Sequence, residues 1–267
     1  MNYTHLMHGD HLPMVGVLQL LLNRSGDSLD PDGHFGPKTL QAVTSFQRRN
    51  GLAADGIVGE KTWAAITADL NLPIVDAIDV WDPTFFREDA AFVRKVGGHP
   101  YLIGGMCNGV QQMVSDICKL ASGNAFLLRL HGHGGPGVAS VASGHGELDP
   151  KMRERSDVFD NKQVMQALAP LRSIFGPYGS IEFIECETGR GTKGRRLLSH
   201  LAAQIGVPVT AALNDQPFGR TATFRLYGPT VTMVPRGHLR DWCRSLPAFR
   251  PSRSSSVAPR LSTPGWR

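Results

Sequence analysis

The sequence predicts a small three-helix bundle followed by a larger α/β domain, a mostly parallel sheet covered by helices. Three observations predict it. A near-repeat within residues 1–70, Asp32-Gly33-His34-Phe35-Gly36-Pro37-Lys38-Thr39 and Asp55-Gly56-Ile57-Val58-Gly59-Glu60-Lys61-Thr62, sets two similar turns ahead of two helices. Beyond residue 95, apolar strand-like runs alternate with helical stretches. The length, 267 residues, suits two domains, the second large enough to bury an α/β core.

The elements of the first half follow from this repeat. Each Asp-Gly favours a tight turn in which Gly takes a positive φ, and Pro37 suits a first helical position. Ahead of the turns, Val17, Leu18, Leu21 and Leu22 fall on one face of a first helix, with Gln19 and Asn23 on the other side. A second helix over about residues 37–50 turns Leu40, Val43 and Phe46 inward and stops at Gly51. The third, over about residues 60–70, buries Trp63 and Ile66. Three apolar stripes of this kind can close a bundle.

Residues 71–95 contain the apolar mixture 74–81 and read as a linker or an opening strand. A helix near 109–121 then precedes a strand over 125–130, which runs into His131-Gly132-His133-Gly134-Gly135-Pro136-Gly137. A helix near 161–175 leads to a strand over 181–185 that ends at Cys186. The turn 188–191, a helix to about 205 and a strand over 207–211 complete the alternation. Such an order argues for a mostly parallel sheet with its sites outside the carboxyl ends of the strands. Both candidate chemical groups, the histidines and Cys186, stand there. A thiolate can attack a carbonyl when an imidazole moves the proton and backbone N–H groups hold the oxyanion.

Charge and composition narrow the function classes. The net charge of +5 includes Arg250, Arg253, Arg260 and Arg267 in a terminal stretch without acidic residues, leaving +1 for the remainder. No specific nucleic acid is therefore expected as a partner. The stretch 249–267, rich in Ser, Pro and Arg, reads as a disordered basic tail. Cys107, Cys118, Cys186 and Cys243 lack paired spacing and are expected to be mostly free thiols. No segment is long and apolar enough to span a bilayer, and the start has no apolar run behind a basic one. A glycine-rich phosphate cradle is not indicated, because no GK[ST] follows the 132–137 glycines.

The composite string Val17-Leu18-Gln19, Asp32-Gly33-His34-Phe35-Gly36, Thr39, Ala42-Val43, Phe46-Gln47, Gly51-Leu52, Asp55-Gly56-Ile57-Val58-Gly59, Thr62-Trp63 resembles the peptidoglycan-binding domain common in bacterial wall enzymes. The likeness spans residues 12–70. It implies peptidoglycan as partner, bound through glycan or stem peptide, without chemistry of its own. Asp32, Phe35, Asp55 and Trp63 are the candidates to border a ligand groove. The alternative is that these glycines and aspartates only build turns.

Residues 100–235 resemble the caspase-like cysteine peptidases, in which a strand ending in His-Gly and a later strand ending in Cys supply a dyad. The matching positions are His133-Gly134-Gly135-Pro136-Gly137 and Cys186, Gly189, Gly191, Gly194, Leu197-Leu198, Leu201-Ala202 and Gly206-Val207-Pro208-Val209. The resemblance implies Cys186 as nucleophile and His133 as general acid and base, with Gly134 and the N–H of Cys186 facing the oxyanion. His131 competes for the role of His133, since it also precedes a glycine. Glu185 and Glu187 flank Cys186 and raise a thiol's pKa unless they point away; alternatively they form an acidic pocket for a basic substrate side chain.

The expectation is thus a wall-binding module (1–70), a linker or opening strand (71–95), a caspase-like α/β domain (96–248) and the tail. It cuts peptide or amide bonds of a protein or peptide substrate, with no cofactor and no metal. One rival is a catalytically inactive adaptor anchored to peptidoglycan. Another is a metal-dependent wall hydrolase using His131, His133 and His145. His5, His8 and His11 have a ligand-like rhythm that reads as chance. Location follows function: the cell envelope or the exterior, reached without a classical signal peptide, or the cytoplasm in the absence of export.

Overall fold

In the computed structural model, which describes residues 2–79, 83–103, 109–121, 123–141, 157–217 and 223–250, three helices open the chain. These are α1 (Pro13–Arg24), α2 (Pro37–Arg49) and α3 (Glu60–Ile66). Then come β1 (Ile74–Asp79), α4 (Pro83–Lys95), β2 (Tyr101–Ile103), α5 (Gly109–Leu120) and β3 (Ala125–His131). A small antiparallel sheet of β4 (Gly134–Gly135), β5 (Val138–Ser140) and β6 (Asp157–Phe159) follows. The chain continues through α6 (Lys162–Leu168) and a 3-10 turn (Ala169–Ile174) into β7 (Phe175–Ile184), α7 (Gly191–Ile205), β8 (Val209–Ala212), β9 (Thr230–Met233) and α8 (Leu239–Ser245). The main sheet has the order β2-β1-β3-β7-β8-β9, parallel throughout except for β9 against β8.

The sheet agrees with the sequence reading, and several elements differ in detail. Residues 71–95 hold β1, which lies inside the sheet between β2 and β3, and α4. The helix expected over 161–175 becomes α6 followed by the 3-10 turn, because Pro170 has no N–H with which to continue an α-helical ladder. The third helix ends at Ile66, after which Leu70 N–H closes a turn onto the Thr67 carbonyl. Of the terminal stretch 249–267, residues 251–267 lie outside the described residues, as do Cys107 and His145.

Pro13 to Leu22 of α1 are all buried, and this includes Gln19, which the sequence places on the side away from Val17, Leu18, Leu21 and Leu22 and which is 1% exposed. The reason is that the bundle does not close on itself. Leu18, Leu21, Phe35, Val43, Phe46 and Trp63 share one core with Phe126 and Leu127 of β3 and with Leu246 beyond α8. At Gly16 a Cβ would stand 2.3 Å from the Cys243 sulfur, which is how closely α8 approaches α1. Asp30 receives Arg240 at 2.9 Å and Arg244 at 2.6 Å, and Asp10 pairs with Arg225 at 2.9 Å. The bundle thereby covers part of one face of the sheet, while α5, α6 and α7 pack on the other over Leu128, Leu130, Ile181, Phe183, Val209 and Ala211.

Within the bundle the repeated turns are locked alike. The Gln19 amide donates to Asp32 Oδ1 (2.8 Å), the His34 carbonyl (3.1 Å) and Thr39 Oγ1 (3.1 Å), and its oxygen accepts the N–H of Gly33 (3.1 Å). Gln47 repeats this with Asp55 Oδ1 (3.0 Å), the Ile57 carbonyl (2.9 Å), Thr62 Oγ1 (3.2 Å) and the N–H of Gly56 (2.9 Å). Gly33 and Gly56 both take positive φ, +76° and +75°. Each glutamine sits in a helix and fastens the turn that starts the next one.

The sheet face beneath the bundle carries a row of polar side chains in register: Asp76 of β1, Arg129 of β3, Glu182 of β7, Thr210 of β8 and Thr232 of β9. Arg129, fully buried, stands 3.2 Å from Asp76 Oδ1 and 3.6 Å from Glu182 Oε2, and donates to the Asn2 carbonyl at 2.5 Å. The Thr4 hydroxyl donates to Glu182 at 2.8 Å, and Asn2 Nδ2 donates to Asp76. His131 Nε2 lies 3.1 Å from Asp76, with Nδ1 3.7 Å from Asp89. Burial alone would depress the His131 pKa, but the Asp76 and Asp89 carboxylates outweigh it and hold it above its ordinary value. Burial opposes the Asp76 charge in turn, yet Arg129 and His131 keep that carboxyl below its usual range; for Glu182 burial prevails and pushes it up.

Two stability tests follow from these contacts. Gln47→Ala and Gln19→Ala each leave a buried glycine N–H, at Gly56 and Gly33, without its acceptor and a turn carboxylate without its amide donor, and each is expected to cost about 1–3 kcal/mol, read as a lower urea midpoint. For pH, a raised His131 contributes fully below its ordinary 6.5 and loses that contribution as pH rises through its folded-state value. Raised Glu182 acts in the same direction, whereas lowered Asp76 loses its contribution only as pH falls below its ordinary 3.8. Stability is therefore expected to fall from mildly acidic to alkaline pH. In denaturant titrations across that range, His131→Gln is expected to flatten the slope.

Candidate functional site

Cys186 stands two residues past the end of β7, beyond the carboxyl end of a central strand. It lines a small cleft with Phe86 and Asp89 of α4, Gly132, Ile184, Glu185, Gln216 and Pro217. The backbone N–H of Gln216 donates to the Cys186 sulfur at 3.3 Å, a donor in place for negative charge developing there. Gln216 is itself braced: its amide donates to the carbonyls of Asn214, Asp215 and Tyr227 at 3.0–3.1 Å and accepts the Tyr227 N–H at 2.8 Å. It carries no motif in the sequence, and only the long-range pairing with Tyr227 reveals it.

His133 lies past the end of β3, with its ring edge-to-face on Phe86, centroids 5.1 Å apart. Phe86 thus touches His133 and also lines the Cys186 cleft. His131, by contrast, ends β3 inside the buried charge row, 1% exposed and facing Asp76 and Asp89. The two histidines do not share a strand face, although their spacing of two would place them on one face had the strand continued. β3 ends at His131 and the chain bends at Gly132, where a Cβ would meet the Ser140 carbonyl at 2.4 Å.

Gly134 is where the two loops press together. A Cβ there would stand 2.5 Å from Thr188 Oγ1 and 2.6 Å from the Cys186 carbonyl oxygen. Thr188, wholly buried, staples the same junction, its hydroxyl donating to the Val138 carbonyl and to Glu185 at 3.3 Å; Gly137 N–H reaches the Thr188 carbonyl at 3.2 Å. Glu185 is 1% exposed beside Thr188. Glu187 adopts φ +54°, in the left-handed region, with its N–H on the Asn214 carbonyl and its carboxylate paired with Arg190. The two acidic neighbours of Cys186 are therefore held differently, one inside against Thr188 and one in an ion pair outside.

The other thiols have different surroundings. Burial, reinforced by Asp32, pushes the Cys243 thiol up to about 12, and burial also raises Cys118. In the bundle, Phe35 and Trp63 are fully buried, so the expectation that these rings border a groove is corrected. Trp63 instead stacks on Tyr3 at 5.0 Å and donates its Nε1–H to the Thr4 carbonyl at 2.8 Å. Asp32 and Asp55 accept the His34 and Ile57 N–H groups at 2.9 Å and hold the turns. Among the described residues no group of three His, Cys, Asp or Glu side chains is arranged to hold a metal ion, and no helix is long and apolar enough to cross a membrane.

Comparison with known proteins places the bundle. Residues 12–66 match the family model described as "Putative peptidoglycan binding domain". An "Uncharacterized protein in bpoA1 3'region" from Kitasatospora aureofaciens is 62% identical over 37 residues, which cover 14% of this chain and 31% of that protein. Among solved structures, a peptidoglycan-binding protein from Clostridioides difficile in complex with glutamine hydroxamate is 37% identical over 24% of this chain and 41% of that one, with a TM-score of 0.24. The Burkholderia AP3 phage endolysin is 33% identical over 34% of each chain, with a TM-score of 0.25. The chain spans less than half the length of each of these relatives. Residues 12–66 thus form a peptidoglycan-binding domain, and it is joined to an α/β domain built on a mostly parallel sheet.

Proposed function

We propose that the chain is a wall-associated cysteine peptidase of the caspase-like kind, acting at the cell envelope on peptide or amide bonds. The observation that carries this reading is that Cys186 and His133 both stand past the carboxyl ends of the neighbouring strands β7 and β3, with Phe86 contacting His133 and lining the Cys186 cleft. In the proposed reaction, His133 takes the thiol proton as the Cys186 sulfur attacks the carbonyl carbon. Gly134 and the Cys186 N–H face the oxyanion, and His133 returns the proton to the leaving amine. Water, deprotonated by His133, then cleaves the thioester and restores the thiol. Asp89 and Glu185, which line the same cleft as Cys186, favour a substrate with a basic side chain next to the scissile bond.

The second reading is an inactive adaptor carried by the peptidoglycan-binding domain, favoured by the tight packing of Glu185, Thr188 and Gly134 around Cys186. Cys186→Ala is expected to abolish hydrolysis of a peptide library or of wall fragments while sedimentation with purified sacculi is retained. His133→Ala is expected to slow the same reaction by about 10²-fold or more. Equal turnover in the wild type and Cys186→Ala would end the peptidase reading. Thiol labelling separates the two: an activated Cys186 alkylates at mildly acidic pH well before Cys118 and Cys243, whereas uniformly slow labelling supports the adaptor.

A further inference from the structure

Away from the Cys186 cleft, a second and larger cavity of about 390 Å³ lies in the seam between the two halves of the chain. One wall is the segment Gly9, Asp10, His11 and Leu12, which leads into α1; the other is β9 with the residues before it. Three consecutive β9 residues, Thr230, Val231 and Thr232, line it, so the cavity runs along the strand's edge rather than over one face. β9 is the last strand of the sheet.

The register says which backbone groups face this space. Leu213 N–H donates to the Pro229 carbonyl, and the antiparallel pairing continues through Ala211 with Val231 and Val209 with Met233. In such a ladder hydrogen-bonded pairs alternate with pairs that do not exchange bonds. Thr230 and Thr232 fall in the second class, and their N–H and C=O groups point away from β8, toward the cavity. Across it, His11 bridges His34 through Leu12 N–H to the Gly33 carbonyl and Phe35 N–H to the Asp10 carbonyl. That pairing turns the N–H and C=O of His11 outward as well. The wall bearing His11 is fixed by Asp10, which Arg225 holds through two bonds of 2.9 and 3.0 Å.

We infer that this seam binds an extended peptide, which adds to the edge of β9 as a further strand, and that the peptide is the stem peptide of peptidoglycan. A row of donors and acceptors at strand spacing matches a peptide backbone. Among the described residues, those lining the cavity include no Trp or Tyr on which a sugar ring could stack. Gly9 and Gly228 admit close backbone approach, and Leu12, Leu226 and Val231 suit small apolar side chains such as alanine. Leu12 is also the first residue of the matched peptidoglycan-binding family region, so the proposed ligand would be shared by that domain and the α/β domain. The choice of the stem peptide rests on the wall-binding reading above.

The test uses the full chain and soluble L-Ala-D-Glu-diaminopimelyl-D-Ala, with an all-L peptide of like length as control. Saturating stem peptide is expected to slow hydrogen exchange at the amides of Thr230, Thr232 and His11. Thr232→Pro removes one outward N–H without touching the β8 ladder, as proline is tolerated on a strand edge, and is expected to bind about tenfold more weakly. Thr232→Val, which loses only the hydroxyl bonded to Thr210, is expected to bind as the wild type does. Unchanged exchange at these amides, or equal affinity for wild type and Thr232→Pro, overturns the inference; the exchange measurement needs no variant to fold. Protection by the all-L peptide alone also overturns it, in favour of a protein partner. Sedimentation with sacculi separates the two levels: if the protein pellets with sacculi but these amides do not respond, the seam site falls and the wall-binding reading stands; if it does not pellet, that reading falls.

Discussion

Arg129 is the residue on which both halves of the molecule converge. Its guanidinium lies between Asp76 and Glu182, one strand to either side, and also reaches the Asn2 and Thr223 carbonyls. A buried cation of this kind is tolerable only when paired and hydrogen-bonded, and the surrounding carboxylates would be as costly without it. The sheet face can therefore be polar only because the N-terminal segment supplies Asn2 and Thr4 to complete the pairing. In return, that segment is fixed where Trp63 binds the Thr4 carbonyl and Leu6 bridges Val58 of the second turn.

This arrangement changes what a wall-binding module means in this chain. A domain on a flexible linker would only raise the local concentration of an enzyme near its substrate. Here α1 is buried between its own bundle and the rest of the molecule, and α8 packs at Gly16 with ion pairs from Asp30 to Arg240 and Arg244. The peptidoglycan-binding domain and the α/β domain hold a fixed mutual orientation. A polymer bound to the first would meet the second in a defined direction, and the seam between them becomes a surface in its own right.

The charge row also reaches the candidate site. Asp89 receives the Thr223 hydroxyl, lies near His131 within the network, and lines the Cys186 cleft. His131 therefore belongs to the buried network that Asp89 extends to the cleft, while His133, two residues on, packs against Phe86, which lines that cleft. Adjacent positions in one short motif are divided between structure and the proposed chemistry by the bend at Gly132.

Much of the fold was legible in the sequence where the cause is local. The Asp-Gly turns with positive φ at Gly33 and Gly56, Pro37 at the start of α2, and the apolar runs that become β3 and β7 all follow from short-range sterics and burial periodicity. The family region at residues 12–66 was legible for the same reason, since its motif is made of turn residues. The sequence also marked Cys186 and His133 at strand ends. What tertiary structure alone decided was the company these residues keep: Gln19, an ordinary polar residue in a helix, proved to be the buried lock of a turn, and Phe35 and Trp63 proved to be core. Arg129 and Glu182 stood in apolar strands with no local partner, and Gln216 met Tyr227 through a loop. Each of these depends on contacts between distant segments, whose energies no local pattern encodes, and so only the folded chain could assign them.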